Sequence, residues 1–168
     1  WVKPLWCISP DGDVIHKIQE FDLPDGGTEL IHRYSPHNGS GKGISRTSDG
    51  NILFSSYSAV YKFNYQTGEC MDYYVPSALG SITEAVEDEN SGLIYHTYVL
   101  GGSMPVIILD EDMEEIGLAL DTLGYITRSM AMKSDDAGAT DLYFGTTWNG
   151  WGVPKYRSEY SPTDPIMY

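Results

Sequence analysis

Ser48-Asp49-Gly50-Asn51-Ile52-Leu53-Phe54, followed by Val60-Tyr61-Lys62-Phe63 and then Gln66-Thr67-Gly68-Glu69, is the stretch that decides the fold. Ser, Asp, Gly and Asn accept turn geometry at little cost, whereas Ile, Leu, Phe, Val and Tyr suit a pleated, half-buried surface. The stretch therefore reads as turn, strand, strand, turn. The same order returns twice. Glu87-Asp88-Glu89-Asn90-Ser91-Gly92 precedes Leu93-Ile94-Tyr95 and Val106-Ile107-Ile108-Leu109, which close on Glu111-Asp112. Ser134-Asp135-Asp136 through Asp141 precedes Leu142-Tyr143-Phe144 and Lys155-Tyr156-Arg157-Ser158.

Ahead of each turn stands an isoleucine, a hydroxyl residue and a charge: Ile44-Ser45-Arg46, Ile82-Thr83-Glu84 and Ile126-Thr127-Arg128, spaced by 38 and 44 positions. Each opening predicts a first strand. Fourth strands are expected at Cys70 to Val75 and at Ile116 to Leu120. In the first 43 residues, Asp13 to Phe21 and Thr28 to Tyr34 read as strands joined by Pro24-Asp25-Gly26-Gly27. Units of about 40 to 50 residues with four short strands are those of propeller blades, since each small sheet must stack on its neighbours to bury its faces. The expectation is an all-β domain over 1–168, of three and a half to four four-stranded antiparallel blades, at about 1–43, 44–80, 81–125 and 126–168. A β-sandwich would use similar strands but gives no reason for the recurring local order.

Composition agrees with many short strands: thirteen Tyr, four Trp, 18 Gly and 9 Pro in 168 residues favour turns and sheets over long helices. A formal charge of −14 repels a phosphate backbone, so nucleic acid is excluded as an expected partner. The longest apolar run, Val106 to Leu109, is strand-sized, so no membrane-spanning helix is expected. Beginning at Trp1, the chain reads as a processed protein or a piece of a longer one. Cys7 and Cys70 form no metal-type or redox-type pair; a disulfide between them and two small buried apolar groups are both open.

The 48–54 stretch with Val60-Tyr61-Lys62-Phe63 and Thr67-Gly68-Glu69 resembles a blade of the NHL, YncE-like and streptogramin-lyase-like propellers. The chain as a whole is similar to extracellular repeat-bearing propeller proteins of Bacteroidota-type bacteria. The resemblance implies a ring of six or seven blades, more than this sequence supplies. It thus implies association with further blades or other chains, and an extracellular, periplasmic or cell-envelope location. Streptogramin lyases use a histidine and acidic residues with magnesium. His16, His32, His37 and His96 show no ligand-type spacing, so that set is not placed here.

Two candidate binding sets follow. In a propeller the first strands line a central channel, which makes Arg46, Glu84 and Arg128 the expected channel residues, or alternatively an inter-blade ion network. Trp148 and Trp151, with Tyr57 and Tyr98 at matching loops, offer flat surfaces with one polar handle, suited to a sugar or a protein, or else to packing between blades. No cofactor is expected. Asp110 to Glu115, and Asp135, Asp136 and Asp141, are oxygen-rich enough to consider Ca²⁺ or Mg²⁺ but lack EF-hand spacing. No nucleophile elbow occurs, and Gly39-Ser40-Gly41-Lys42-Gly43 is not a complete phosphate loop. The functional expectation is a non-catalytic binding or assembly scaffold for a protein or glycan. The alternatives are a lyase or hydrolase acting at the channel mouth and a structural subunit of a multi-chain assembly.

Overall fold

A computed structural model describes residues 4–31, 42–77, 81–99, 105–120, 126–135, 139–147 and 155–158. These residues contain strands, turns and bends, and no helix. Residues 43–74 form a four-stranded antiparallel meander, β5 (Gly43–Arg46), β6 (Ile52–Ser55), β7 (Val60–Phe63) and β8 (Cys70–Tyr74). A second meander follows, β9 (Ser81–Glu87), β10 (Ile94–Val99), β11 (Val106–Leu109) and β12 (Glu115–Leu120). Next is a three-stranded sheet, β13 (Ile126–Ser134), β14 (Thr140–Thr147) and β15 (Lys155–Ser158). Ahead of all three lie two small ladders, β1 (Leu5–Ile8) with β2 (Val14–Ile18), and β3 (Glu20–Asp22) with β4 (Thr28–Leu30).

The turn chemistry sets the hairpins. Thr47 N–H donates to Asn51 O at 2.9 Å and Asp88 N–H to Leu93 O at 2.8 Å. Gly50 and Gly92, at φ +88 and +73, supply the left-handed residue each turn needs. Neighbouring sheets approach most closely along their first strands, β5 against β9 and β9 against β13. The first strands therefore lie nearest a common axis, and the sheets fan out from it as propeller-type blades.

Three apolar layers fill the gaps between sheets, because alternate residues of each strand face opposite neighbours. Phe54, Tyr61 and Phe63 meet Phe21 and Ile31 of the first segment. Phe21 stands edge-on to Tyr61 and Phe63, with centroids 5.1 and 4.9 Å apart. Leu53, Val60 and Tyr74 pack on Ile82, Ile94, Ile107 and Leu109. Tyr95, Val106 and Ile108 pack on Met130, Leu142 and Phe144. No sheet buries its faces alone.

The expected openings are displaced. Counting back from each turn, the first paired residues are Arg46 with Ile52, Glu87 with Ile94, and Ser134 with Thr140. Arg46, Glu87 and Ser134 are thus equivalent, and Glu84 is the counterpart of Gly43. Ile44 is 58% exposed whereas Ile82 is fully buried, so these two isoleucines do not hold one structural position. The physical reason is strand length. Strand β9 has seven residues and β13 nine, against four in β5, so the same triplet falls at different heights. In the first segment, the strand expected over Asp13 to Phe21 is interrupted at Gln19, and β1 was not anticipated. Thr28 to Tyr34 is strand only to Leu30, and its last three residues lie outside the described set.

Candidate functional site

The turn ends of β5, β9 and β13 converge on a polar recess of about 370 Å³ at the axis, lined by Arg46, Glu87, Asp88, Glu89, Lys133 and Ser134 among others. Two of its carboxylates, Glu87 and Asp88, are engaged. Glu87 accepts the Ser48 N–H at 2.9 Å, tying one blade to the turn of the previous one. Asp88 accepts hydroxyl hydrogen bonds from Ser91, Ser134 and Thr140 and the Asn90 N–H, so it clasps the next blade. Burial pulls its carboxyl upward, but these donors outweigh burial and hold it below the usual carboxylate range. The recess is a structural clasp at its acidic end.

Of the three expected channel residues, Arg46 reaches this recess. Glu84 lies instead over Gly43, so close that a β-carbon there would overlap its carboxylate. Burial alone pushes Glu84 up from 4.5 to about 7. Among the described residues the one ion pair is Lys62 with Asp49, at 3.3 Å, so Arg46 and Glu84 do not form the inter-blade ion pair considered above. Arg128 is on β13 beside a register shift between Thr127 and Ser129; its side chain is outside the described set. Tyr57 is exposed, with the Lys42 ammonium 6.0 Å from its ring centroid. Tyr98 lies on β10 opposite Ile82, its side chain again undescribed, and Trp148 and Trp151 fall outside the described residues.

Arg46 also borders a second space. Between the β1–β2 ladder and the β5–β8 blade lies a groove of about 420 Å³. Leu5, Ile18, Ile52 and Phe63 give it an apolar floor, and Trp6 and Tyr65, each about half exposed, stand at its sides. The guanidinium of Arg46 is an exposed charge at its edge, outside the one ion pair of the described residues. Cys7 and His16 face each other across the β1–β2 ladder and both line the groove. Groove sites of this size with an apolar lining and few polar groups hold ligands in many proteins.

Cys7 and Cys70 are both free thiols, so the disulfide left open above is not formed. Cys70 donates to Asp72 O at 3.4 Å, and burial pushes its thiol up to about 12. Among the described residues no group of three or more His, Cys, Asp and Glu side chains is arranged to hold a metal ion. Asp110 instead caps its own turn, accepting the N–H groups of Asp112 and Glu114 at 3.1 and 2.9 Å. No described helix is long and apolar enough to cross a membrane.

No protein-family model matches this chain. No curated protein matches it either. Among solved structures it is similar to an inactivated virginiamycin B lyase from Staphylococcus aureus, crystallised with quinupristin, at 10% identity and a TM-score of 0.47. The similarity covers 98% of this chain and 66% of the lyase, so the chain spans just under two thirds of that protein's length.

Trp6, His16 and Tyr65 escaped sequence reasoning because they belong to two blades. Tyr65 follows β7 in a turn, Trp6 and His16 lie in the irregular first segment, and no spacing in the chain relates them. One signal was present. Leu5-Trp6-Cys7-Ile8 is a β-prone run of alternating exposure, which marks a strand carrying an aromatic.

Proposed function

We propose that the chain is a binding scaffold without turnover, and that the groove between its first two sheets receives an apolar or aromatic group carrying a carboxylate, presented by a protein partner. The supporting observation is the groove itself: an apolar floor, two half-exposed aromatic walls and one cation without an ion partner among the described residues. Apolar floor area favours a hydrophobic side chain over a sugar, whose rim of hydroxyls needs several hydrogen-bond partners. Arg46 supplies the fork that fits a carboxylate. An acidic chain, at −14, also disfavours anionic partners that lack such a local cation. The extracellular or cell-envelope location and the association with further blades or chains belong to the same proposal.

Isothermal titration calorimetry with N-acetyltryptophan, N-acetyltryptophan amide and a short neutral oligosaccharide tests it. The expected order is carboxylate first and amide second, with Arg46→Gln lowering only the first, by about five-fold to ten-fold. Saturable binding of the oligosaccharide alone, or none by any of the three, overturns the reading.

A further inference from the structure

We infer that the chain stacks head to tail with copies of itself, the outer face of the β1–β2 ladder of one copy lying on the outer face of the β13–β15 sheet of the next. The inference rests on the association with other chains proposed above and deepens it by naming the partner and the two faces. Trp6, Ile8, Val14 and Ile15 are half of the large apolar side chains that the described residues leave exposed, and all four lie on this one two-stranded ladder. Ile8, Val14 and Ile15 are each more than half exposed and cluster at its turn end, where Ile8 pairs with Val14. An apolar patch of this kind on an otherwise charged chain marks a contact surface.

What covers the patch follows from the rest of the stack. The inner face of the ladder packs through Leu5 and Ile18 on the β5–β8 sheet, that sheet packs on β9–β12, and β9–β12 packs on β13–β15. The outer face of the ladder continues this series at one end. At the other end, Met130 and Met132 of β13, opposite Phe144 and Leu142, face the β9–β12 sheet. The alternate pairs turn the other way: Ser129 opposite Gly145, Ala131 opposite Tyr143, and Lys133 opposite Asp141. Ser129, Ala131 and Lys133 are exposed, and Tyr143 is half-buried. Small residues on this face leave room for the branched and aromatic side chains of the ladder, and large against small is how facing layers interdigitate.

Charge points the same way. In an acidic chain, β13–β15 is the one sheet whose span carries a basic excess: Arg128, Lys133, Lys155 and Arg157 outnumber Asp135, Asp136 and Asp141. The first segment is its opposite, with Asp11, Asp13, Glu20, Asp22, Asp25 and Glu29 against Lys17. Asp11 and Asp13 lie in the turn beside Ile8 and Val14, so a head-to-tail contact brings them toward the basic sheet, whereas two ladders face to face would set acid on acid. The contact is heterologous. Each copy offers both faces, so copies add in one direction until a ring closes or the stack runs on.

Sedimentation velocity across a concentration series tests this on the full chain and two blocked forms. Ile8→Glu with Ile15→Glu closes the ladder face, and Ala131→Arg with Lys133→Glu closes the far face of β13–β15. All four positions are exposed, and an unchanged urea midpoint checks that each form is folded. Ile8→Ser with Ile15→Ser is the milder ladder variant if the glutamates disturb folding. The native chain is expected to sediment as more than one copy at high concentration, and each blocked form to associate about ten-fold more weakly or not at all. Mixed in equal amounts, the two blocked forms should give a species of two copies and nothing larger, since one keeps the sheet face and the other the ladder face. N-acetyltryptophan binding is expected to be unchanged in both, because none of the four residues lines the groove. A native chain that is monomeric at every concentration, as a further sheet of its own polypeptide over Ile8 and Ile15 would make it, overturns the inference. Association that the blocked forms keep, or that their mixture does not restore, also overturns it, but leaves association through another surface, and with it the reading above, standing.

Discussion

Replacing Glu84 with glutamine should make the protein more stable at alkaline pH and leave it nearly unchanged in acid. Burial raises the Glu84 carboxyl from 4.5 to about 7, and no partner offsets it. The folded state therefore holds this proton more tightly than the unfolded chain does. Stability from this group is full below 4.5 and is lost as pH rises through about 7. A sealed group with that gap would account for about 3 kcal/mol. Glu84 is only half-buried, and solvent screening reduces the figure to about 1 kcal/mol. Glutamine keeps the shape over Gly43 and has nothing to ionise. Urea unfolding of both proteins at about pH 5 and about pH 8 measures the difference. The two curves should nearly coincide at the lower pH, and the variant should lead by about 1 kcal/mol at the higher. Parallel pH profiles would refute the claim that desolvation of this carboxylate costs stability, as would a native protein that gains on its variant as pH rises.

Asp88→Ala should cost about 2–4 kcal/mol in the same assay, since it strands the Ser134 and Thr140 hydroxyls that join two blades. His96 is fully buried, neither of its ring nitrogens has a partner, and desolvation lowers it from 6.5 to about 3. The opposing influence of the Thr97 backbone does not amount to a hydrogen bond. Its unfolded form takes a proton more readily, so stability should fall as pH drops from 6.5 toward 3. His96→Phe, which copies the equivalent Phe54, should remove that acid limb and raise the unfolding midpoint at neutral pH. Phe63→Ala should cost about 3–5 kcal/mol by opening a cavity under Phe21 and Tyr61, measured by thermal or urea unfolding.

Local chemistry along the chain determined the hairpins. The runs Val60 to Phe63, Val106 to Leu109 and Lys155 to Ser158 are strands with those same bounds, because β-prone residues between turn clusters leave one local solution. All-β class and the repeated order of turn and strands were legible for the same reason. The equivalence of the blades was not. Ile44 and Ile82 look alike in sequence, yet one is exposed and the other buried, since strand length beyond the turn decides which rung a residue occupies. The groove is a tertiary product altogether. Trp6, Cys7 and His16 meet Arg46 and Tyr65 only because stacked sheets bring distant segments side by side, and the pairing of faces is set by packing that no single strand encodes.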